Sequence, residues 1–360
     1  MAALDYPVGH PLAVKLWSKK IAREALKATF ASKFMGESSN SLIQVFDETE
    51  KGAGDRIRVP LRMQLTGRGV TGTQTLEGNE ENLVTYQDDL LIEDLAHAVR
   101  GKMRIDAQRV PFSVREEMKD GIVDWYADRL DTWAANTLTG FTGQSDVIYT
   151  GNNATTAPTV TAGNTRHIII DNDSGVSSHT AESSLSTTDT FSLTLLDMAV
   201  NIAKTATPLI RPIKVGSQEY FVCFVHPNQV KSLRSGSAAA GSWFDIQKAA
   251  MTGGEIEDNP IFTGALGVYN GVVLHEWSRL PAITTGVGAG TGRRAVFCGA
   301  QAAAMAFGKG YGNAPRYIED YFDYERQLGI SVQTIAGMKK LVFNSNDFAT
   351  IVLSTYAPNP

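Results

Sequence analysis

From Ile57 onward apolar residues occupy every second position. Ile57, Val59, Leu61, Met63 and Leu65 alternate with Arg56, Arg58, Pro60, Arg62 and Gln64. A period of two predicts a strand with one apolar and one basic face. Pro60 falls on the polar phase and cannot donate to a ladder, so the strand belongs at an edge or projects from a closed sheet. Gly67, Gly69 and Gly72 predict a flexible tip around Arg68. The return segment, Leu76 to Asp94, carries Glu77, Glu80, Glu81, Asp88, Asp89, Glu93 and Asp94 without a Lys or Arg. The pattern is that of a long hairpin with a basic and an acidic limb. Such a ribbon has little core of its own and needs another surface to lie on.

A helical period appears twice. In Pro11 to Phe34, Lys15, Lys19, Arg23 and Lys27 recur every four residues on one face, with Leu12, Leu16, Trp17, Ile21, Leu26 and Phe30 elsewhere around the helix. That basic face is either an ordinary solvated surface or an arm that docks on acidic surface or enclosed nucleic acid. The second helix begins at Ser113, which has capping-box spacing to Glu116. A stripe of Val114, Met118, Ile122, Trp125, Leu130, Trp133 and Leu138 then runs to Gly140. At helical rise this is a rod of roughly 40 Å, long enough to act as a spine.

Thr142 to Thr190 is rich in Thr, Ser, Asn and Gly. With only His167 to Ile170 strand-like inside it, it reads as an inserted surface loop. Patterns resume with Phe191 to Ala206, Tyr220 to Val225, Trp243 to Met251, Gly271 to His275 and Ala295 to Cys298. Strand-like runs follow at Tyr321 to Tyr324, Gly329 to Ile335, Met338 to Phe343 and Phe348 to Tyr356. Helices and strands without regular alternation predict an α+β fold.

Composition adds bounds. At 360 residues, 43% hydrophobic and 20% charged, the chain can bury a large core, and it has no apolar run of the ~18 residues a membrane helix needs. The start lacks the pattern of a secretory signal, so folding in a cytoplasm is expected. Cys223 and Cys298, the only cysteines, lie in apolar stretches and read as buried free thiols. The net charge of -5 conceals a basic first segment leading an acidic body.

Recognisable chemistry is sparse. Gly67-Arg-Gly69-Val-Thr-Gly72 matches the dinucleotide fingerprint, but Thr73 to Asn79 opens no helix for a phosphate, so a hairpin tip is the reading. The glycines of Gly286 to Gly292 and Gly308 to Gly312 lack a phosphate-loop ending. His10, His97, His167, His179, His226 and His275 form no metalloprotease pair, and there is neither a Cys-x-x-Cys nor a Gly-x-Ser-x-Gly elbow. Asp88, Asp89, Glu93 and Asp94 lack calcium-loop spacing. No catalytic residue, cofactor or metal is expected.

The order of parts, with particular stretches, resembles the major capsid proteins of tailed bacteriophages, podophage coat proteins in particular. The stretches are Phe34-Met-Gly-Glu, Asp55-Arg56-Ile-Arg-Val-Pro60-Leu, Gly69-Val-Thr-Gly72, Leu76-Glu-Gly78-Asn79-Glu-Glu81, Tyr324-Glu, Gly329-Ile and Ala336-Gly-Met-Lys-Lys340. The resemblance implies an N-terminal arm (1–50), an extended loop (51–94), a peripheral domain (95–141 and 313–345), an inserted region (142–190) and an axial domain (191–312 and 346–360). It implies no enzyme. It implies self-assembly into pentamers and hexamers and then an icosahedral shell around double-stranded DNA, formed in a host cytoplasm, with portal, scaffold and decoration proteins as partners and no membrane.

Inter-subunit contacts would then fall to Arg56, Ile57, Arg58, Val59, Leu61, Arg62, Met63, Leu65, Arg68, Glu77, Glu80, Glu81, Asp88 and Asp89, and the inner-surface arm to Lys15, Lys19, Arg23 and Lys27. Some members cross-link through Lys and Asn, but no motif here identifies such a pair. An encapsulin-like cargo compartment shares the fold and is the alternative. An oligomeric enzyme with an unrecognised site and a tail or adhesion protein are readings from other classes.

Overall fold

The computed structural model describes residues 30–46, 54–101, 113–142, 153, 155–160, 165–172, 177–235, 265–283, 292–308 and 315–358. After a short 3-10 turn (Ala31–Phe34), the described residues form β1 (Met35–Gly36), β2 (Ile43–Phe46), β3 (Arg56–Arg62), β4 (Thr85–Leu91), β5 (Glu93–Arg100) and helix α1 (Val114–Thr139). It continues through β6 (His167–Asp171), β7 (Ser177–Ser178), α2 (Leu193–Thr205), β8 (Ile213–Val215), β9 (Gln218–Val225), α3 (Pro227–Ser235), β10 (Ala265–Tyr269) and β11 (Val272–Glu276). It ends with β12 (Gly292–Cys298), β13 (Ala303–Phe307), β14 (Arg316–Phe322), β15 (Gln327–Lys340), β16 (Val342–Phe343), β17 (Asn346–Asp347) and β18 (Thr350–Tyr356). No helix among the described residues is long and apolar enough to cross a membrane.

Two sheets carry the architecture. The larger runs β10-β11-β9-β12-β18-β6-β7, with β8 on β9. Its central strands read as unbroken apolar runs, Phe221 to Val225, Ala295 to Cys298 and Ile351 to Leu353, because both faces are covered. Cys223 and Cys298 are free, buried thiols within it, and burial pushes both thiols up from their ordinary pKa. The smaller sheet runs β1-β2-β13-β15-β14, with β5 on the opposite edge of β15.

Helix α1 spans the smaller sheet as a rod of about 39 Å. Ser113 accepts the Glu116 amide at 3.4 Å. At the other end Gly140 takes φ 61°, and the Phe141 amide returns to the Asn136 carbonyl at 3.1 Å, closing the last turn. Met118, Ile122, Tyr126, Leu130, Trp133 and Leu138 are buried along one side. Trp125 lies outside that buried stripe and stacks on His97 of β5, 4.2 Å between centroids. Asp131, on the helix, accepts the backbone amides of Phe30 and Ala31 at 3.3 and 3.0 Å. Phe30 and Phe34 insert among Phe224, His275 and Trp277. The Phe30–Phe34 segment is thereby fixed against both α1 and the larger sheet.

Several expectations are corrected. The alternating strand stops at Arg62, before Met63 and Leu65, and the strand of the return limb is Thr85–Leu91; Glu93 and Asp94 start β5, which pairs with β15. The two runs expected between Gly329 and Phe343 are mostly one strand, β15, of 14 residues. His167 to Ile170, expected inside a surface loop, forms most of β6, which is buried throughout and parallel to β18. An all-apolar run bears no period that distinguishes a surface excursion from a covered strand. Ala303–Phe307 joins the smaller sheet, and β1 and β2 extend it. The basic helical segment with Lys15, Lys19, Arg23 and Lys27, and the pattern Trp243 to Met251, lie outside the described residues.

Candidate inter-subunit surface

The hairpin forms as the alternation requires, with β3 and β4 paired antiparallel in a two-stranded sheet of their own and Pro60 opposite Gln87. Its two halves differ. In the lower half, the apolar phase is already covered: Ile57, Val59 and Leu90 pack with Ala304, Ala306, Leu341 and Phe343 of the same chain. Ile57 and Val59 therefore already belong to a core of their own chain. Leu61 and Met63 are half-buried. Further out, Leu65, Leu76, Leu83 and Val84 are 57, 64, 57 and 47% exposed, a run of large apolar side chains the subunit does not cover.

The charged phase is also partly self-satisfied. Arg58 donates to Asp89 at 2.8 Å, and Arg56 at 3.2 Å. Hydrogen bonding from Arg58 is the first cause holding the Asp89 carboxyl below its ordinary range. Asp88 is buried and accepts Lys339 and the Val342 amide, the latter at 2.9 Å, so it anchors the root. Glu81 bridges the outer limbs by accepting the amides of Thr66 and Gly67 at 2.8 and 2.6 Å, which lowers its pKa. Glu80 accepts the Gly78 amide at 2.7 Å. Arg62, Arg68 and Glu77 are exposed. Gly69 and Gly72 adopt φ 67° and 63°, the tip conformation expected of them, and no helix follows.

The root is held by groups no local motif announced. Asn153 makes two hydrogen bonds to Leu91, and the Ile92 amide donates to Asp55 at 2.9 Å. Gly337 of β15 lies directly beneath: a Cβ there would run into the Leu91 carbonyl oxygen. Any larger residue would lift the hairpin off the sheet.

Two further polar clusters lie along the larger sheet. In the first, Arg294 forks onto Glu182 at 2.7 and 2.8 Å and donates to the Gly140 carbonyl at 3.1 Å. His167 Nε2 lies 2.8 Å from Ser354 Oγ, which donates to Glu182 at 2.7 Å. Ser354 is fully buried, and the group ties the end of α1, the 182–184 turn and three strands together. In the second, Asp171, His179 and Asp189 bring one ligating atom each within 4.8 Å of one another. Neither cluster follows any sequence spacing.

Comparison with known proteins gives one consistent picture. Residues 5–359 match the family model described as phage capsid protein. The chain is similar to the major capsid protein of Pseudomonas phage KPP25, 30% identical over 364 residues that cover 93% of each chain. The capsid of Ralstonia phage GP4 superposes with a TM-score of 0.79 at 31% identity, covering 92% of this chain and 91% of that one. The cyanophage Pam1 capsid subunit shares the fold at a TM-score of 0.72 and 20% identity, covering 93 and 94%. These similarities favour a phage shell over an encapsulin-like compartment.

Proposed function

The chain belongs to the phage capsid protein family, and on that premise we propose how its hairpin closes the shell. It is a capsid subunit, built into the virion in many copies, with the α+β fold of tailed-phage capsids. The proposal is that the outer half of the hairpin lies across a neighbouring copy, joining subunits into pentamers and hexamers and these into an icosahedral shell around double-stranded DNA. Assembly takes place in the host cytoplasm, with portal, scaffold and decoration proteins as partners. The positive charge of Lys15, Lys19, Arg23 and Lys27 is complementary to that of packaged DNA. The smaller sheet with α1 makes up the peripheral part, and the larger sheet the axial part.

One observation carries this reading: Leu65, Leu76, Leu83 and Val84 stand exposed on a ribbon whose lower half is already buried at home. Each is about half exposed, so covering what remains is worth roughly 1–2 kcal/mol per side chain. Rim charges such as Arg62, Arg68 and Glu77 add about 0–1 kcal/mol per pair and mainly set register. Replacing Leu65 and Leu83 together by Asp leaves the subunit core untouched. The double variant is expected to fold with the wild-type circular dichroism spectrum yet remain as small species in sucrose gradients. Shells of wild-type yield and diameter by electron microscopy would overturn the docking role.

A further inference from the structure

We propose that Asp171, His179 and Asp189 form a binding site for a divalent transition-metal cation, Zn²⁺ being the best fit, which fastens the 179–189 segment to the end of β6. The three residues come from the end of β6, the residue after β7 and the loop before α2. His179 Nε2 lies 3.2 Å from Asp189 Oδ2, and its Nδ1 lies 3.8 Å from Asp171 Oδ2. Zinc binds nitrogen and oxygen ligands at about 2 Å, which puts tetrahedral donors about 3.3 Å apart. The two contacts run through different ring nitrogens, and a single ion takes only one of them; each lies within about 0.5 Å of that spacing. With one ring nitrogen ligating, the three ligand atoms lie within 4.8 Å of one another and need only close in around the ion.

The ligands are oriented by groups outside the site. Asn172 donates its amide to Asp189 Oδ1 at 2.8 Å, and Ser186 donates its amide and hydroxyl to Oδ2 at 2.7 and 2.9 Å. Burial opposes charge on Asp189, but these hydrogen bonds outweigh it and hold the carboxyl below its ordinary pKa. The His179 amide donates to the Ile169 carbonyl at 2.7 Å, and the Tyr356 amide to the Asp189 carbonyl at 2.8 Å, so two of the ligand-bearing backbones are tied to the sheet without help from the metal. Outer hydrogen bonds of this kind are what fix ligands around a bound ion. Two buried carboxylates face a single imidazole, a donor set of the kind that holds a divalent cation. The mixed nitrogen and oxygen set selects a transition metal over Mg²⁺ or Ca²⁺, which prefer oxygen alone. His179, 22% exposed, leaves a side open for entry and for water as a fourth ligand.

The test titrates chelator-stripped full-length protein with Zn²⁺ by calorimetry and with Co²⁺ by visible spectroscopy. One Zn²⁺ per chain, Co²⁺ bands in the visible, and an unfolding temperature raised by Zn²⁺ are expected. His179→Gln and Asp171→Asn should each weaken binding by about tenfold or more and abolish the thermal shift. Asp189 is left alone because it also caps its own loop. If stripped wild-type protein takes up no Zn²⁺ saturably, or if both variants bind it as wild type does, the site is refuted. The wild-type titration decides by itself should a variant fail to fold.

Discussion

Asn153 grips the Leu91 peptide from both sides: the Leu91 amide donates to Asn153 Oδ1 at 2.9 Å, and Asn153 Nδ2 donates to the Leu91 carbonyl at 2.7 Å. One side chain thus imitates a neighbouring strand at the residue where the hairpin rejoins the body. Asn153 is buried, so water does not replace it readily. Asn153→Ala is expected to cost about 1–3 kcal/mol for each backbone group left unsatisfied. Chemical denaturation reads the total. Hydrogen exchange should quicken at Leu91 while the amides of α1 keep their protection.

A second prediction concerns Lys340 and Asp347, 2.9 Å apart with side chains 2 and 1% exposed. Burial pushes the Lys340 pKa down and that of Asp347 up, so each depends on the other to remain charged. Removing one partner strands the other: Lys340→Met alone is expected to destabilise by about 3–5 kcal/mol, whereas Lys340→Met with Asp347→Leu recovers most of it. A double-mutant cycle in urea measures the difference. Equal losses in the single and double variants would show that packing, not charge, dominates there.

The third concerns acid. Burial opposes charge on Glu182, yet hydrogen bonds from His167, Arg294 and Ser354 overcome it, and the carboxyl lies well below its ordinary value of 4.5. A depressed folded-state pKa stabilises above the unfolded value and ceases to do so as pH falls through the folded one. Stability should therefore decline once pH drops below about 4.5, because the unfolded chain takes up the proton first. Glu182→Gln should start less stable and lose less on acidification. Melting curves of both proteins from about pH 6 to about pH 3 test this, and parallel curves would remove Glu182 from the account.

What the sequence revealed follows from the range of the interactions. Helix α1 was legible because its signals are local: the Ser113 cap, the Gly140 stop and a stripe at helical spacing. The hairpin was legible for the same reason, since alternation and tip glycines need no distant partner. The dependence of Ile57 and Val59 on Ala304, Ala306 and Phe343 was not, because alternation states that a face is covered but not by which surface. Strand β5 went unread because its sequence, Glu93 to Arg100, is half polar and pairs only with β15, more than 200 residues on. Arg294 with Glu182, and His179 between Asp171 and Asp189, are meetings of distant segments that no spacing rule encodes.

The glycine at 337 has a mechanical corollary. Leu91 rests on β15 where the support beneath it is bare backbone. A methyl group added there would act at the short end of a lever, so a small upward displacement at the fulcrum becomes a several-fold larger sweep of the far end around Gly69 and Gly72. On the docking proposed above, the missing side chain at 337 sets how far each copy reaches toward the next.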